Sequence, residues 1–154
     1  EYGQKRQEFP FKDGKGDGLS TGWYMNGQKE YEANSKDGKQ DGFSTVWYEY
    51  GQKSQELPFK DGKGDGLSTA WYRNGQKEYE ANSKDGKQDG LSRGWYSNGR
   101  KSFEVTYKDG KKMTIIVWKP NGDKCPVSKV VNGNWIHVAY NLDGVEIGRG
   151  TSKR

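Results

Sequence analysis

Sulfur and long apolar stretches are scarce in this chain. Cys125 is its single cysteine, which rules out an intrachain disulfide and leaves the redox compartment open. His137 is the single histidine, and with one histidine and one cysteine neither a zinc site nor a Cys–His nucleophile is well supported. No apolar run approaches the ~18 residues of a membrane-spanning helix. Apolar residues make up 29% of the 154, far below the usual ~45–50%. That excludes a broad aliphatic core. Glycine, by contrast, numbers 23, and no 3.6-residue apolar stripe survives between the glycines, so helices are not expected.

Aromatic residues are what the chain has instead, at 14%. Each buried ring removes roughly 150–250 Å² from water, so rings can build the thin core that aliphatics cannot. They also recur at a fixed period. Trp23, Trp47, Trp71 and Trp95 lie 24 residues apart, and Trp118 follows after 23. Each opens a near-copy of one phrase, W-Y-x-N-G-Q-K-x-x-E-x-x-x-K-D-G-K-x-D-G-L-S-T-x. Tyr24, Tyr48, Tyr72 and Tyr96 follow the tryptophans. Glu8, Glu32, Glu56, Glu80 and Glu104 form one column, and Lys12, Lys36, Lys60, Lys84 and Lys108 another. A longer period overlays the first: residues 11–21 recur letter for letter as 59–69, and 26–42 as 74–90. The unit of duplication is therefore read as 24 residues or as a 48-residue double unit. One hairpin flavour carries F-P-F or L-P-F (Phe9 to Phe11, Leu57 to Phe59), and the other Y-E-A-N-S (Tyr31 to Ser35, Tyr79 to Ser83).

Turn chemistry sets the expected fold. Asn-Gly (26–27, 74–75, 98–99, 121–122) and Asp-Gly (13–14, 37–38, 61–62, 85–86, 109–110) are the preferred pairs of two-residue type I′ hairpins. Tyr50-Gly51 replaces Asn-Gly once, and a second Asp-Gly widens the other end of four repeats. The seven or eight residues between turns suit strands. Alternation places Leu19, Thr21 and Trp23 on one face, and the expected arrangement has tryptophan columns on one side with tyrosine and glutamate columns on the other. The fold class is all-β: tandem antiparallel β-hairpin repeats forming an elongated twisted meander, with a divergent C-terminal capping module. Residues 1–110 hold five hairpin repeats, the first incomplete. Residues 111–154, with MTIIVW (Met113 to Trp118) and WIHVAY (Trp135 to Tyr140), form the cap that such arrays require.

The phrase W-Y-x-N-G-Q-K…K-D-G-K-x-D-G-L-S-T resembles the variant MORN repeat of bacterial proteins, abundant in the group labelled YwqK-like antitoxins. The similar copies are Trp23 to Val46, Trp47 to Ala70 and Trp71 to Gly94, and the resemblance covers about residues 1–122. The stretch Trp118 to Val127 is similar to the end module of some bacterial members. The resemblance implies a β-hairpin array that binds proteins or lipids and has no catalytic residues of its own.

The residues themselves point the same way. A glutamate repeated in every unit reads as structural, pairing with a lysine column across strands, because a catalytic centre needs one asymmetric constellation. D-G-K-G-D-G (Asp13 to Gly18, Asp61 to Gly66) lacks the further acidic ligands of a calcium loop. No cofactor or metal is expected. The binding face is expected on the rings Tyr24, Tyr48, Tyr72, Tyr96, Trp23, Trp47, Trp71 and Trp95. A basic edge is expected at Lys15, Lys39, Lys63 and Lys87. The first function expected is a non-catalytic protein-interaction scaffold, antitoxin-like by resemblance. The alternative is a cell-envelope module for glycan or anionic lipid head groups. Nucleic acid is disfavoured, because 21 acidic residues offset most of the 26 basic ones and leave a net charge of only +5. Open end strands allow an end-to-end homodimer. The chain opens at Glu1 inside a repeat, so an export leader is compatible, and the compartment is read as bacterial cytoplasm or cell envelope.

Overall fold

The computed structural model describes residues 7–125, 129–131 and 134–153. Sixteen strands are present and no helix occurs among the described residues: β1 (Gln7–Glu8), β2 (Phe11–Lys12), β3 (Lys15–Gly16), β4 (Gly18–Trp23), β5 (Lys29–Lys36), β6 (Lys39–Trp47), β7 (Lys53–Lys60), β8 (Lys63–Gly64), β9 (Gly66–Trp71), β10 (Lys77–Lys84), β11 (Lys87–Trp95), β12 (Lys101–Lys108), β13 (Lys111–Val117), β14 (Lys129–Val131), β15 (Asn134–Tyr140) and β16 (Glu146–Lys153). The main sheet has 11 strands in the order β1-β4-β5-β6-β7-β9-β10-β11-β12-β13, with β8 also on β7. Its pairings are all antiparallel, as expected for hairpins laid side by side. β14, β15 and β16 form a separate three-stranded sheet, and β2 pairs with β3.

The two turn families differ in kind. Asp13, Asp37, Asp61, Asp85 and Asp109 have φ of 49–51° and each precedes a positive-φ glycine. These are the type I′ corners expected. The Asn-Gly corners are not. Only the glycine is left-handed there (Gly27, φ 83°), and Gly27 N donates to Tyr24 O at 2.9 Å while Tyr24 N donates to Gln28 O at 2.8 Å. This is a three-residue loop, a type I turn closed by a glycine bulge. The asparagine is selected by its side chain: Asn26 Oδ1 accepts Gln28 N at 3.0 Å, and Asn26 Nδ2 donates to Glu49 O, 23 residues on, at 2.7 Å. Tyr50 does the second job where asparagine is missing, its hydroxyl donating to Arg73 O at 2.7 Å.

The second Asp-Gly is a staple between hairpins rather than a corner. Asp17 Oδ2 accepts Asp37 N at 3.3 Å, and Asp41, Asp65 and Asp89 treat Asp61, Asp85 and Asp109 in the same way. Proline separates the two hairpin flavours. Asp17 N and Asp65 N donate to Pro10 O and Pro58 O at 3.0 Å, and the strand pauses at each. In the Y-E-A-N-S hairpins β6 and β11 run through unbroken.

A bulge near each Asn-Gly corner corrects the expected faces. Gly22 pairs with Tyr31 and Trp23 with Lys29, so Glu30 is the extra residue. Thr21 lies opposite Glu32, and Glu32 opposite Thr45. The glutamates therefore share the tryptophan face instead of the tyrosine face. The bulge also turns Lys29 toward Glu32 on its own strand (Nζ–Oε1 2.5 Å). Lys53 with Glu56, Lys77 with Glu80 and Lys101 with Glu104 repeat this pairing, which replaces the cross-strand pairing expected.

The aliphatic core is small and sits at the C-terminal end. Val117, Cys125 and Val138 are buried together, with Phe103, Ile115 and Tyr140 packed on them. The β15 segment that carries Val138 and Tyr140 thus covers one face of β12 and β13. His137 lies on β15, but its side chain falls outside those described.

Candidate binding face

One row of side chains crosses the whole main sheet on a single face: Gln7, Gly22, Tyr31, Val46, Gln55, Ala70, Tyr79, Gly94, Phe103 and Val117, each opposite the next. Large and small residues alternate in it. Tyr31 lies over Gly22 and Phe103 over Gly94, so closely that a methyl group on either glycine would overlap the ring. Glycine is present here for the absence of a side chain, in ordinary strand conformation.

Beside this row run the four tyrosines that follow the tryptophans. Their hydroxyls bind the repeats together. Tyr24, Tyr48 and Tyr72 donate to Trp47 O, Trp71 O and Trp95 O at 2.7 Å, and Tyr96 to Trp118 O at 2.9 Å. Burial raises all four phenol pKa values above the ordinary one. Nearby carboxylates add to the effect for Tyr24, Tyr48 and Tyr72. Tyr48 stacks on Tyr50 with centroids 5.4 Å apart, and the Arg73 guanidinium covers the Tyr48 ring at 5.4 Å.

Three depressions lie along these rings. One, of about 560 Å³, is framed by Tyr24, Tyr48, Tyr50, Arg73 and the polar corner residues Asn26, Gln28 and Glu49. A second, of about 400 Å³, is lined by Gln55, Ala70, Tyr72, Glu78, Tyr79, Trp95, Ser102 and Phe103. The third, of about 370 Å³, lies at the junction of the two sheets and shares Ser102 and Phe103 with the second. The structure thus brings Tyr24, Tyr48, Tyr72, Tyr96 and Trp95 of the expected residues to concave surface. Trp23, Trp47 and Trp71 line none of these three.

The tryptophans belong to a different arrangement on the glutamate face. Lysine ammoniums sit over their rings: Lys29 over Trp47 at 5.7 Å, Lys77 over Trp95 at 5.9 Å and Lys101 over Trp118 at 5.4 Å. Each of these lysines also holds its glutamate, so the cation is shared between a carboxylate and a ring. Lys101 and then Arg93, whose Nε lies 3.3 Å from Oε2, keep the Glu104 carboxyl below the usual carboxylate range.

Lys15, Lys39, Lys63 and Lys87 are exposed along the Asp-Gly edge. Their stems pack on the turn glycine of the next hairpin, with Lys15 Cβ 3.6 Å from a methyl built at Gly38. Aspartates are interleaved with them throughout. Sequence reasoning missed Tyr79, Phe103, Tyr107 and Tyr140 as lining residues. The column 31, 55, 79, 103, which reads Tyr, Gln, Tyr, Phe, held the signal for two of them.

Residues 64–85 and 88–109 match a protein-family profile described as MORN repeat variant. This stretch is a pair of MORN-variant repeats. The match supports a MORN-repeat protein, and the hairpins on either side reproduce the same register and corners. No curated protein matches the chain. No helix among the described residues is long and apolar enough to cross a membrane. MORN repeats of this kind suggest a binding or scaffold module.

Proposed function

We propose that this MORN-repeat chain is a non-catalytic binding module that grips an extended, polyproline-type segment of a protein partner on its ring-lined face. The observation that carries the reading is the tyrosine column, with one ring per hairpin. Two strands separate equivalent rings, which is about 9.4–9.8 Å along the array. A polyproline II helix repeats every three residues, about 9.3 Å. Such a partner offers each hairpin the same side chain in turn. The tyrosine hydroxyls are already held by backbone carbonyls, so the walls are rigid before binding and little side-chain entropy is lost. A toxin-neutralising role, implied by resemblance to the antitoxin group, is this same reading with a toxin as partner.

The envelope alternative draws on the polar depression at Tyr24, Tyr48 and Tyr50, where rings and hydrogen-bonding groups meet as sugars require. Its donors are committed internally, however: Asn26 Nδ2, Tyr24 and Tyr50 all bond to backbone carbonyls. The lysine edge is likewise interleaved with the corner aspartates Asp13, Asp37, Asp61 and Asp85, which lower its net charge. Selection from a peptide library tests the proposal. Proline-rich peptides should emerge, and Tyr79→Ser combined with Ala70→Arg should weaken them about tenfold or more. Peptides indifferent to those changes overturn it. So does binding confined to glycans, or to anionic vesicles through Lys15, Lys39, Lys63 and Lys87.

A further inference from the structure

The cavity at the junction of the two sheets has a built floor, roof and wall. Three alternate rungs of β12 and β13 make the floor: Phe103 opposite Val117, Val105 opposite Ile115, and Tyr107 opposite Lys112. Val138 and Tyr140 of β15 and Tyr96 complete the lining of this half-open cleft of about 370 Å³. Nearly all of this lining is hydrocarbon or ring. Two of its polar groups are already engaged: the Tyr96 hydroxyl donates to Trp118 O, and the Tyr140 hydroxyl lies 3.4 Å from Cys125 Sγ.

Lys112 supplies the one cation of the described lining. It is half-buried and lines the cavity. Among the described residues no carboxylate lies within ion-pair distance of it. Burying part of a cation without an anion is unfavourable, and here the cost falls at the edge of an apolar chamber. The chamber is of a size that takes a small molecule, at the low end of the usual ~300–1,000 Å³.

We infer that this cavity binds a small carboxylic acid with a ring-bearing apolar body. The ring lies between Phe103, Ile115, Val138 and Tyr140, and the carboxylate meets the Lys112 ammonium. Aromatic walls suit a flat ring in offset or edge-on contact, and the ion pair would form in a partly desolvated setting where it gains more than at open surface. The site shares Tyr96 with the tyrosine column and Phe103 with the ring row, but Lys112 and Ile115 belong to neither, so failure of the probes to bind would leave the peptide-binding reading standing.

Indole-3-acetate and its neutral counterpart indole-3-acetamide are the probes, titrated by calorimetry into the full chain. The acid should bind about tenfold tighter than the amide, a difference of about 1.4 kcal/mol. Lys112→Met should bring the two to parity while leaving amide affinity unchanged, and Lys112→Arg should restore the preference. Amide NMR shifts should fall on β12, β13 and β15. Ile115→Trp, which fills the chamber, should abolish binding of both probes, with circular dichroism reporting that the sheet persists. Equal affinity for acid and amide in the wild type overturns the inference, as does the absence of binding at millimolar probe or shifts confined to the Asn-Gly corners.

Discussion

At the scale of single residues, the tyrosine that follows each of Trp23, Trp47, Trp71 and Trp95 ties its hairpin to the next. Its position was plain in the sequence, because a residue recurring every 24 positions needs no structure to be noticed. Its hydroxyl partner was not, since the acceptor is a backbone carbonyl one repeat away and carbonyls carry no sequence signature. The consequence is measurable. Tyr72→Phe removes one half-buried hydrogen bond and should cost about 1 kcal/mol, read from the urea midpoint. The pH dependence has a definite sign. Burial raises the Tyr24, Tyr48, Tyr72 and Tyr96 pKa values in the folded state, so the unfolded chain ionises first, near pH ~10. The stability from these phenols is complete below that pH and is lost as pH rises through their raised values. A melting temperature that falls steeply above about pH 10, in step with tyrosinate absorbance, is the expected result. The variant with all four changed to phenylalanine should show a shallower fall, with Tyr107, which is also raised, still contributing.

Strands and hairpins were legible to the extent that local chemistry decides them. The Asp-Gly corners came out as expected because both central residues need left-handed backbone, a demand that few residue types meet. The Asn-Gly corners did not, because the same dipeptide also closes a three-residue loop, and the inter-repeat reach of Asn26 Nδ2 favours that outcome. The glutamate face was misassigned because alternation along one strand does not fix its register against the next, and that register sets Thr21 opposite Glu32. The ring-over-glycine rungs could not be read from either strand alone, since each is a relation between two. Gly94→Ala tests the rung directly. The new methyl meets the Phe103 ring, and overpacking of this kind costs about 1–3 kcal/mol. Adding Phe103→Leu should recover part of that loss in the double variant. A Gly94→Ala chain as stable as the wild type in urea would show that the ring is free to leave.

Across the whole molecule, the array behaves as a chain of neighbours, because the hydroxyl, asparagine and aspartate links each reach only the next hairpin. Stability should then be a sum of hairpins and interfaces. The junction cavity escaped the sequence for the same geometric reason in reverse, since its roof and floor come from strands that no repeat relates. The ring row gives the sum a second period. Tyr31 stands over Gly22 and Phe103 over Gly94, and Tyr79 lies opposite Ala70, whereas Gln55 lies opposite Val46. Deleting residues 26–73 joins identical text and sets Tyr79 over Gly22, so the rung is preserved. Deleting residues 26–49 instead sets Gln55 over Gly22 and leaves the glycine surface bare, although the protein is one hairpin longer. The shorter deletion product should therefore melt at the higher temperature, against the simple expectation that more repeats give more stability. Calorimetric scans of the two proteins decide this. A higher melting temperature for the 24-residue deletion would mean that hairpin number alone sets stability and that the 48-residue period has no energetic content.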